Sequence, residues 1–304
     1  MDEMKKNGPG PGEDNGPPPI EFMYRGIPKL DCAPVPESGM MEADVVVVGC
    51  GGSGIPAAVS AFENGAKRVV IIEKQQRAGG NSVMARGLFA CKSSVLRQAM
   101  VKSDKDEIFT NAMNWHHYTR VNGRVLRAWI NQSGNTIDWL RKRAVEFEVN
   151  TTTRMTYDIA PHWHCVKDST MATPMAHLVE ELCDVMGIDR RLVQTVEEYN
   201  ANKGDPIFHK DARYLTPIEG GKYYVAKFRR HCYGVMGGLR INYRAELQDV
   251  NCDSIPGLYA AGNDANSIYT DTYPFVLSGN TSSFAINTGR IAGEQAAAYA
   301  KTQH

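Results

Sequence analysis

An α/β fold, a parallel sheet flanked by helices, is predicted for this chain by three observations. The apolar run Val45 to Val48 closes on a glycine-rich turn, a second apolar run ends on Glu73 one helix later, and a small-residue strand followed by a helix lies near residue 300. The first run is short enough for a buried parallel strand, and Gly49, Gly51 and Gly54 follow it at the G-x-G-x-x-G spacing. Gly49 permits the tight turn, Gly51 lets backbone approach a pyrophosphate, and Gly54 lets the next helix pack close to the strand. The helix expected from Ile55 to Asn64 then aims its N-terminal N–H groups at that pyrophosphate. The run Arg68 to Ile72 ends on Glu73, 24 positions after Gly49, where a carboxylate accepts hydrogen bonds from a ribose. Strand, glycines, helix, strand and terminal acid occur in order, so the stretch reads as a dinucleotide site of Rossmann-like type.

Composition bounds the rest. A length of 304 residues suggests two domains and a substantial core. Lys plus Arg and Asp plus Glu both number 34, so no net field recruits nucleic acid or an anionic membrane. No apolar run comes near the roughly 20 residues that span a bilayer, and the polar N-terminus is unlike a signal peptide. A cytoplasmic chain without a membrane span or nucleic-acid partner is expected. Seven cysteines with no C-x-x-C pair fit reduced thiols. Cys50 stands inside the glycine loop, where small size is a sufficient reason for it.

Residues 1–40, with Gly8-Pro9-Gly10-Pro11-Gly12 and Pro17-Pro18-Pro19, read as a disordered linker. Beyond Glu73 and Lys74, the loop through Gly79-Gly80-Asn81-Ser82 permits close backbone approach to a ligand, and the small residues around Gly87 suggest a flat ring against the main chain. From Ser103 to about Glu148 the pattern is helical, with Ile108, Trp115, Trp129, Ile137 and Trp139 expected in the core. His116-His117 and His162-x-His164 lack a third ligand or an HExxH frame, so no metal site is predicted. Thr173-Pro174 predicts a helix start running to about Met186. Asp189 is the expected N-cap of a helix with Leu192, Val193, Val196 and Tyr199 on one face. After Gly204 the chain reads as strand-like and rich in turns. Ile255 to Asn263 is a strand ending in a small-residue turn, and Ser278 to Ser283 opens the last helix, whose N-terminus can donate N–H bonds to a bound flavin.

With both ends in view, the chain resembles the flavoprotein family that contains fumarate reductase, succinate dehydrogenase flavoprotein and 3-ketosteroid dehydrogenase. The matching motifs are Asp44 to Gly54, Glu73-Lys74, Gly79 to Ser82, Gly187 to Asn200, Gly237-Gly238-Leu239, and Ile255 to Gly262 with Gly289 to Gly293. The resemblance implies noncovalent FAD, since no histidine stands near Ser82 to Arg86 to carry it. It implies a holding set of Gly49, Gly51, Gly52, Ser53, Gly54, Glu73, Lys74, Gly80, Asn81, Ser82, Gly87, Gly262, Asn263, Gly279, Asn280, Thr281 and Ser282. The FAD-binding domain is then 41–102 plus 241–304, and 103–240 is a reduced α+β substrate region. The implied chemistry is hydride transfer between the flavin and an activated carbon–carbon bond of a small-molecule enone or unsaturated acid, with an electron-transfer partner.

The sequence departs from that family in two places. Its members are considerably longer, and between the helix ending near Met186 and Gly187 they carry strands, an alanine-threonine-glycine-glycine turn and a mobile cap domain. Here these are missing, so the sheet is expected to lack a strand. Fumarate reductases also place a histidine three residues before the glycine pair, where this chain has Gly234, and an arginine where it has Val276. That leaves no bidentate clamp for a dicarboxylate. Thr272-Tyr273-Pro274 is more similar to the ketosteroid dehydrogenases, in which a tyrosine before proline bonds a ketone oxygen. Tyr273 is thus the candidate polarising group and Tyr233 the candidate proton carrier, each with a core tyrosine as the bland alternative. Arg229 and Arg230 read as solvated charge. The rival to an enzyme is a truncated, non-catalytic FAD-binding remnant.

Overall fold

The computed structural model describes residues 27, 29–34, 37–85, 87–149, 162–166, 175–176, 183–184, 187, 189–202, 204–219, 223–224, 234–265, 267–269, 271–274 and 276–303. They fall into two compact units, the smaller within 170–230 and the larger within 27–169 and 231–303; residues 1–26, most of the expected linker, lie outside the described residues.

The larger unit begins with β1 (Val45–Val48), α1 (Gly54–Glu63) and β2 (Val69–Ile72). β1 and β2 pair in parallel in the register Val45↔Val69 to Val48↔Ile72. Branched side chains suit this pleated surface, and the crossover through α1 is the one a parallel pair requires. Next come β3 (Gly87–Phe89), α2 (Ser94–Gln98), α3 (Lys105–Trp115), α4 (Gly123–Arg141), β4 (Phe147–Val149) and β5 (Trp163–Val166). The last three strands form an antiparallel sheet in the order β3-β5-β4. Asp104 caps α3 by accepting from the Asp106 and Glu107 N–H groups at 2.8 and 3.0 Å, and Asn122 caps α4 through the Val125 N–H.

The smaller unit contributes β6 (Met175–Ala176), α5 (Arg191–Ala201) and β7 (Tyr223–Tyr224). Asp189 accepts from the Arg191 N–H at 2.8 Å, and Leu192, Val193, Val196 and Tyr199 are its half-buried face. Of the helix predicted from Thr173 to about Met186, the start is corrected while Cys183 and Asp184 are helical, and 177–182 and 185–186 lie outside the described residues. Thr173 and Pro174 lie outside the described residues, while Met175 and Ala176 pair antiparallel with Tyr224 and Tyr223, so backbone pairing with a distant strand replaces the helical start. The stretch after Gly204 is irregular, with a 3-10 turn at Ala212–Tyr214.

The chain then returns to the larger unit with β8 (Glu246–Gln248), β9 (Ser254–Tyr259) and α6 (Asn280–Ala300). The predicted strand at Ile255 forms, but it pairs antiparallel with β8. β1 has β2 as its one strand partner among the described residues, leaving Val46 53% and Val48 84% exposed while Val45 is buried on the helix side.

The core gathers Phe89, Leu126, Trp129, Ile130, Ile268, Leu277 and Phe284. Trp129 is the pivot, with its ring 4.9 Å from Phe89 and 6.2 Å from Phe284 and its indole N–H donating to Ser283 Oγ at 2.9 Å. Trp115 and Trp139 are half-buried, with indole N–H groups on Thr272 Oγ1 and Glu63 Oε2. α1 and α6 meet through their main chains. A Cβ added at Gly293 would stand 2.0 Å from Ala57 O, and one at Gly289 would stand 2.1 Å from Ser53 O.

His164 is fully buried on β5, where its Nδ1–H donates to His162 O at 3.0 Å and its Nε2 accepts from Ser93 Oγ at 2.6 Å. Ser93 Oγ in turn accepts from the Leu96 N–H, so the neutral ring satisfies every partner. Burial pushes its pKa down to about 4. In an unfolded chain the ring takes its proton near 6.5, so the unfolded state binds more protons between about 6.5 and 4 and stability falls as pH drops through that window. Roughly 3 kcal/mol is expected to be lost across it. Urea midpoints from pH 7 to 4 should show this slope, and His164→Asn should flatten it. Gly293→Ala should independently lower the unfolding free energy by about 1–3 kcal/mol, read as a lower urea midpoint, because the new methyl drives the two helix backbones apart.

Candidate functional site

The site grows from the turn between β1 and α1. Gly49 has φ +98°, a left-handed conformation that favours glycine, and its N–H donates to Ile72 O at 2.7 Å. A Cβ at Gly54 would fall 1.9 Å from Gly49 O, so glycine is required at both ends of the turn. Ser53 begins α1 without a side-chain cap bond; the Ile55 N–H donates to Gly51 O at 3.1 Å and Pro56 has none, so what α1 turns toward the glycine turn is the positive end of its dipole. The arrangement fits a pyrophosphate in its sterics and in its polarity.

Glu73 closes the other side of the turn. Its carboxylate accepts from the Cys50 N–H at 2.6 Å and from the Gln75 N–H at 2.8 Å. The Cys50 N–H is the main reason its pKa lies below the ordinary carboxylate range. A carboxylate offers about four lone-pair positions, so the two oxygens retain acceptor capacity for ribose hydroxyls. Burial, then the Glu73 charge, pushes the Cys50 thiol up, which disfavours the reactive thiolate.

The later segments lie against this turn. Gly79 N–H donates to Cys50 O at 2.7 Å, and Gly51 bridges Gly79 in parallel. Gly80 lies beside Gly51, and Ser82 fills the space a Cβ on Gly52 would need. From the far end of the chain, Gly262, with φ +72°, approaches Ser53 so closely that a Cβ would stand 2.8 Å from its Oγ. Thr288 Oγ1 accepts the Gly262 N–H at 2.9 Å. Gly279 packs on β3, its carbonyl accepting the Phe89 N–H, and Gly87 is required there because a Cβ would stand 2.3 Å from Trp163 Nε1. Asn263 is half-buried, Ser282 lies half-buried on the first turn of α6, and Lys74 and Asn81 are exposed.

Asn280 is fully buried, and its amide is engaged inside the protein. Nδ2 donates to Pro274 O and Leu277 O at 3.1 and 2.8 Å. Tyr273 is half-buried beside the core, and Thr281 Oγ1 donates to its phenol oxygen at 3.0 Å. Tyr269, which sequence reasoning missed, stands with its ring 5.3 Å from that of Tyr273 and its hydroxyl 2.7 Å from Thr281 Oγ1. The sequence carried only the four-residue spacing of the two tyrosines, because the turn that folds 271–279 back onto α6 assembles the cluster. Tyr233, Arg229 and Arg230 lie outside the described residues.

Gly234 and Val276 stand where the sequence was expected to lack the histidine and arginine of a dicarboxylate clamp. A Cβ at Gly234 would stand 3.1 Å from Asn263 Oδ1, and Val276 packs against the apolar core. His162 Nε2 lies 2.9 Å from Ser103 Oγ, and His116 is buried, which lowers its pKa. Among the described residues no group of three or more His, Cys, Asp or Glu assembles a metal site. The six described cysteines form no disulfide, and no described helix is long and apolar enough to cross a membrane.

Comparison with known proteins places this geometry. The FAD binding domain family matches residues 44–180 and 164–281. The urocanate reductase of Eggerthella lenta is 39% identical over 136 residues, covering 40% of this chain and 20% of that protein. The matched region spans about a fifth of the length of the first curated relatives, from 20 to 22%. Among solved structures, the open conformation of a flavocytochrome c3 fumarate reductase superposes with a TM-score of 0.66 at 14% identity, covering 92% of this chain and 86% of that one. The 3-ketosteroid-delta4-(5alpha)-dehydrogenase from Rhodococcus jostii RHA1 gives 0.55 at 15% identity, covering 87% of this chain and 99% of that one. These two likenesses establish the fold.

The Glu73 anchor is testable without a ligand. Its lowered pKa means its contribution is complete above the ordinary value of 4.5 and is lost as pH falls through the folded value. Glu73→Gln is expected to cost about 1–2 kcal/mol at neutral pH and to weaken the acid dependence below 4.5, read from urea titrations at both pH values.

Proposed function

The chain belongs to the FAD binding domain family, and from that premise we propose that it is an FAD-dependent oxidoreductase acting on an activated carbon–carbon bond of a small enone or unsaturated acid. The observation that carries the reading is the convergence on the β1–α1 turn of the Gly80–Ser82 loop, against Gly51 and Gly52, and of Gly262, against Ser53, which together make a cradle of small residues at the start of α1. Gly49, Gly51, Gly52, Ser53 and Gly54 would hold the pyrophosphate of FAD, and Glu73 with Lys74 its adenosine ribose. Gly80, Asn81, Ser82, Gly87, Gly262, Asn263 and the α6 start from Gly279 to Ser282 would line the flavin end. Binding is noncovalent in this reading, and the domains are 41–102 plus 241–304 for the cofactor and 103–240 for the substrate.

When bound, FAD supplies reversible hydride chemistry. The chain's own residues do the rest. Tyr273 donates a hydrogen bond to the carbonyl that activates the substrate, and Tyr233 carries the proton. An enone suits these phenols better than a dicarboxylate, since Gly234 and Val276 offer no cation to pair with a second carboxylate. The named substrates of the relatives support an activated double bond: urocanate for one, vinyl phenol and fumarate for others.

The second reading, a non-catalytic remnant that retains FAD, is favoured by the open face of β1, where Val46 and Val48 are exposed, and by the short share of the relatives that is matched. Anaerobic mixing of the chemically reduced, FAD-loaded protein with a cyclic enone or an unsaturated acid separates the two. Reoxidation by the enone is expected, slowed by about 10²-fold in Tyr273→Phe at unchanged flavin content. Equal rates in Tyr273→Phe would remove that residue from the chemistry, and no reoxidation by any acceptor would favour the remnant.

A further inference from the structure

We propose that the arm carrying Ile27 and Leu30 is a strap that holds the loop from Glu73 to Gly79 in the shape the adenosine end of FAD needs, and that Arg77 is the positioning residue that fastens it. The inference rests on the reading in which Glu73 meets the adenosine ribose.

Both ends of the loop are docked on the glycine turn. Glu73 Oε2 accepts from the Cys50 N–H at 2.6 Å, and the Gly79 N–H donates to Cys50 O at 2.7 Å. Five residues, Lys74 to Ala78, span the distance between those points, and the arm meets them on the way. The Leu30 N–H donates to Gln76 O at 2.7 Å, and Arg77 Nη1 donates back to Ile27 O. The two bonds run in opposite senses, so the arm cannot slide along the loop without breaking both. Ile27, Leu30 and Arg77 are half-buried, whereas Lys29 and the residues from Asp31 to Pro34 are exposed. Among the described arm residues, burial falls on the two that make the bonds.

The strapped residues adjoin the group that orients the carboxylate. The Gln75 N–H donates to Glu73 Oε1 at 2.8 Å, one residue before the carbonyl that Leu30 holds. A surface loop left loose must give up its backbone freedom when a ligand binds, and that ordering is subtracted from the affinity. With the strap closed, the loop is ordered beforehand. The Arg77 bond comes from a charged donor, which makes it about twice as strong as a neutral one. Coupling of this kind is reciprocal, so bound FAD must hold the strap closed by the same factor by which the strap tightens FAD. Within a stretch that composition reads as linker, Ile27 and Leu30 thus serve the cofactor site.

Titration of the full chain with FAD, and with ADP as a probe that lacks the flavin, tests the strap. Arg77→Ala is expected to raise both dissociation constants about tenfold, and Arg77→Lys, which keeps a charged donor, to recover most of the loss. Leu30→Pro removes the N–H on the arm side and should cause the same loss, with no further loss in the double variant, because both changes release one strap. A merely structural arginine would lower the urea midpoint of the FAD-free protein and leave both dissociation constants alone, which overturns the proposal, as do additive losses in the double variant. If Arg77→Ala does not fold, the unaltered chain still decides. Saturating FAD must slow tryptic cleavage of the Lys29–Leu30 bond about tenfold, since the arm has to detach to be cut, and equal cleavage with and without FAD overturns the strap. A chain that binds neither FAD nor ADP overturns the cradle together with the strap, whereas binding with constants that Arg77→Ala and Leu30→Pro leave unchanged overturns the strap alone.

Discussion

The rest of the structure depends on the backbone-to-backbone contact between α1 and α6. Gly289 and Gly293 lie one helical turn apart and present bare main chain to Ser53 and Ala57, with no room for a single added carbon. Ser60 Oγ donates to Arg290 O at 2.8 Å across the same seam. This contact joins residues more than 200 positions apart in the chain. It holds the α1 start beside Gly262 and the α6 start beside β3, and both ends of the cofactor cradle follow from it.

Electrostatics within the cradle runs in one sense. The turn offers N–H groups and the positive end of α1 to an anion, while Glu73, kept ionised by the Cys50 and Gln75 N–H groups, presents a carboxylate to hydroxyl donors. At the α6 end the polar groups are hydroxyls and amides, suited to a neutral carbonyl. Among the described residues, Tyr269, Tyr273 and Thr281 gather at this end, and the proposed ketone-polarising role rests on them.

Much of this was legible in the sequence where the physics is local. The Val45–Val48 run, the glycine spacing and Glu73 specified β1, α1 and β2, because strand periodicity and turn sterics act within a few residues. The helical spacing from Ile108 to Trp139 gave α3 and α4. Pairing between distant strands was not legible. β9 was recognised as a strand, but its antiparallel partner β8 depends on the turn in which Asp249 Oδ1 accepts from the Asn251 and Asp253 N–H groups, a hairpin cue that the small-residue strand reading passed over. The tertiary pairing of Met175 and Ala176 overrode the helix start predicted from Thr173-Pro174. The bonds of the buried Asn280 amide to two carbonyls and the Tyr269 phenol are contacts that no spacing rule encodes.

The central claim is that the two ends of the chain still build a working FAD cradle although β1 has one strand partner among the described residues. The visible absorption spectrum of the purified protein, taken before and after denaturation, tests it most directly. A resolved flavin band near equimolar with protein, released on unfolding, is the predicted result. A colourless protein that also fails to take up added FAD would contradict the account, and the glycine turn and Glu73 would then record ancestry alone.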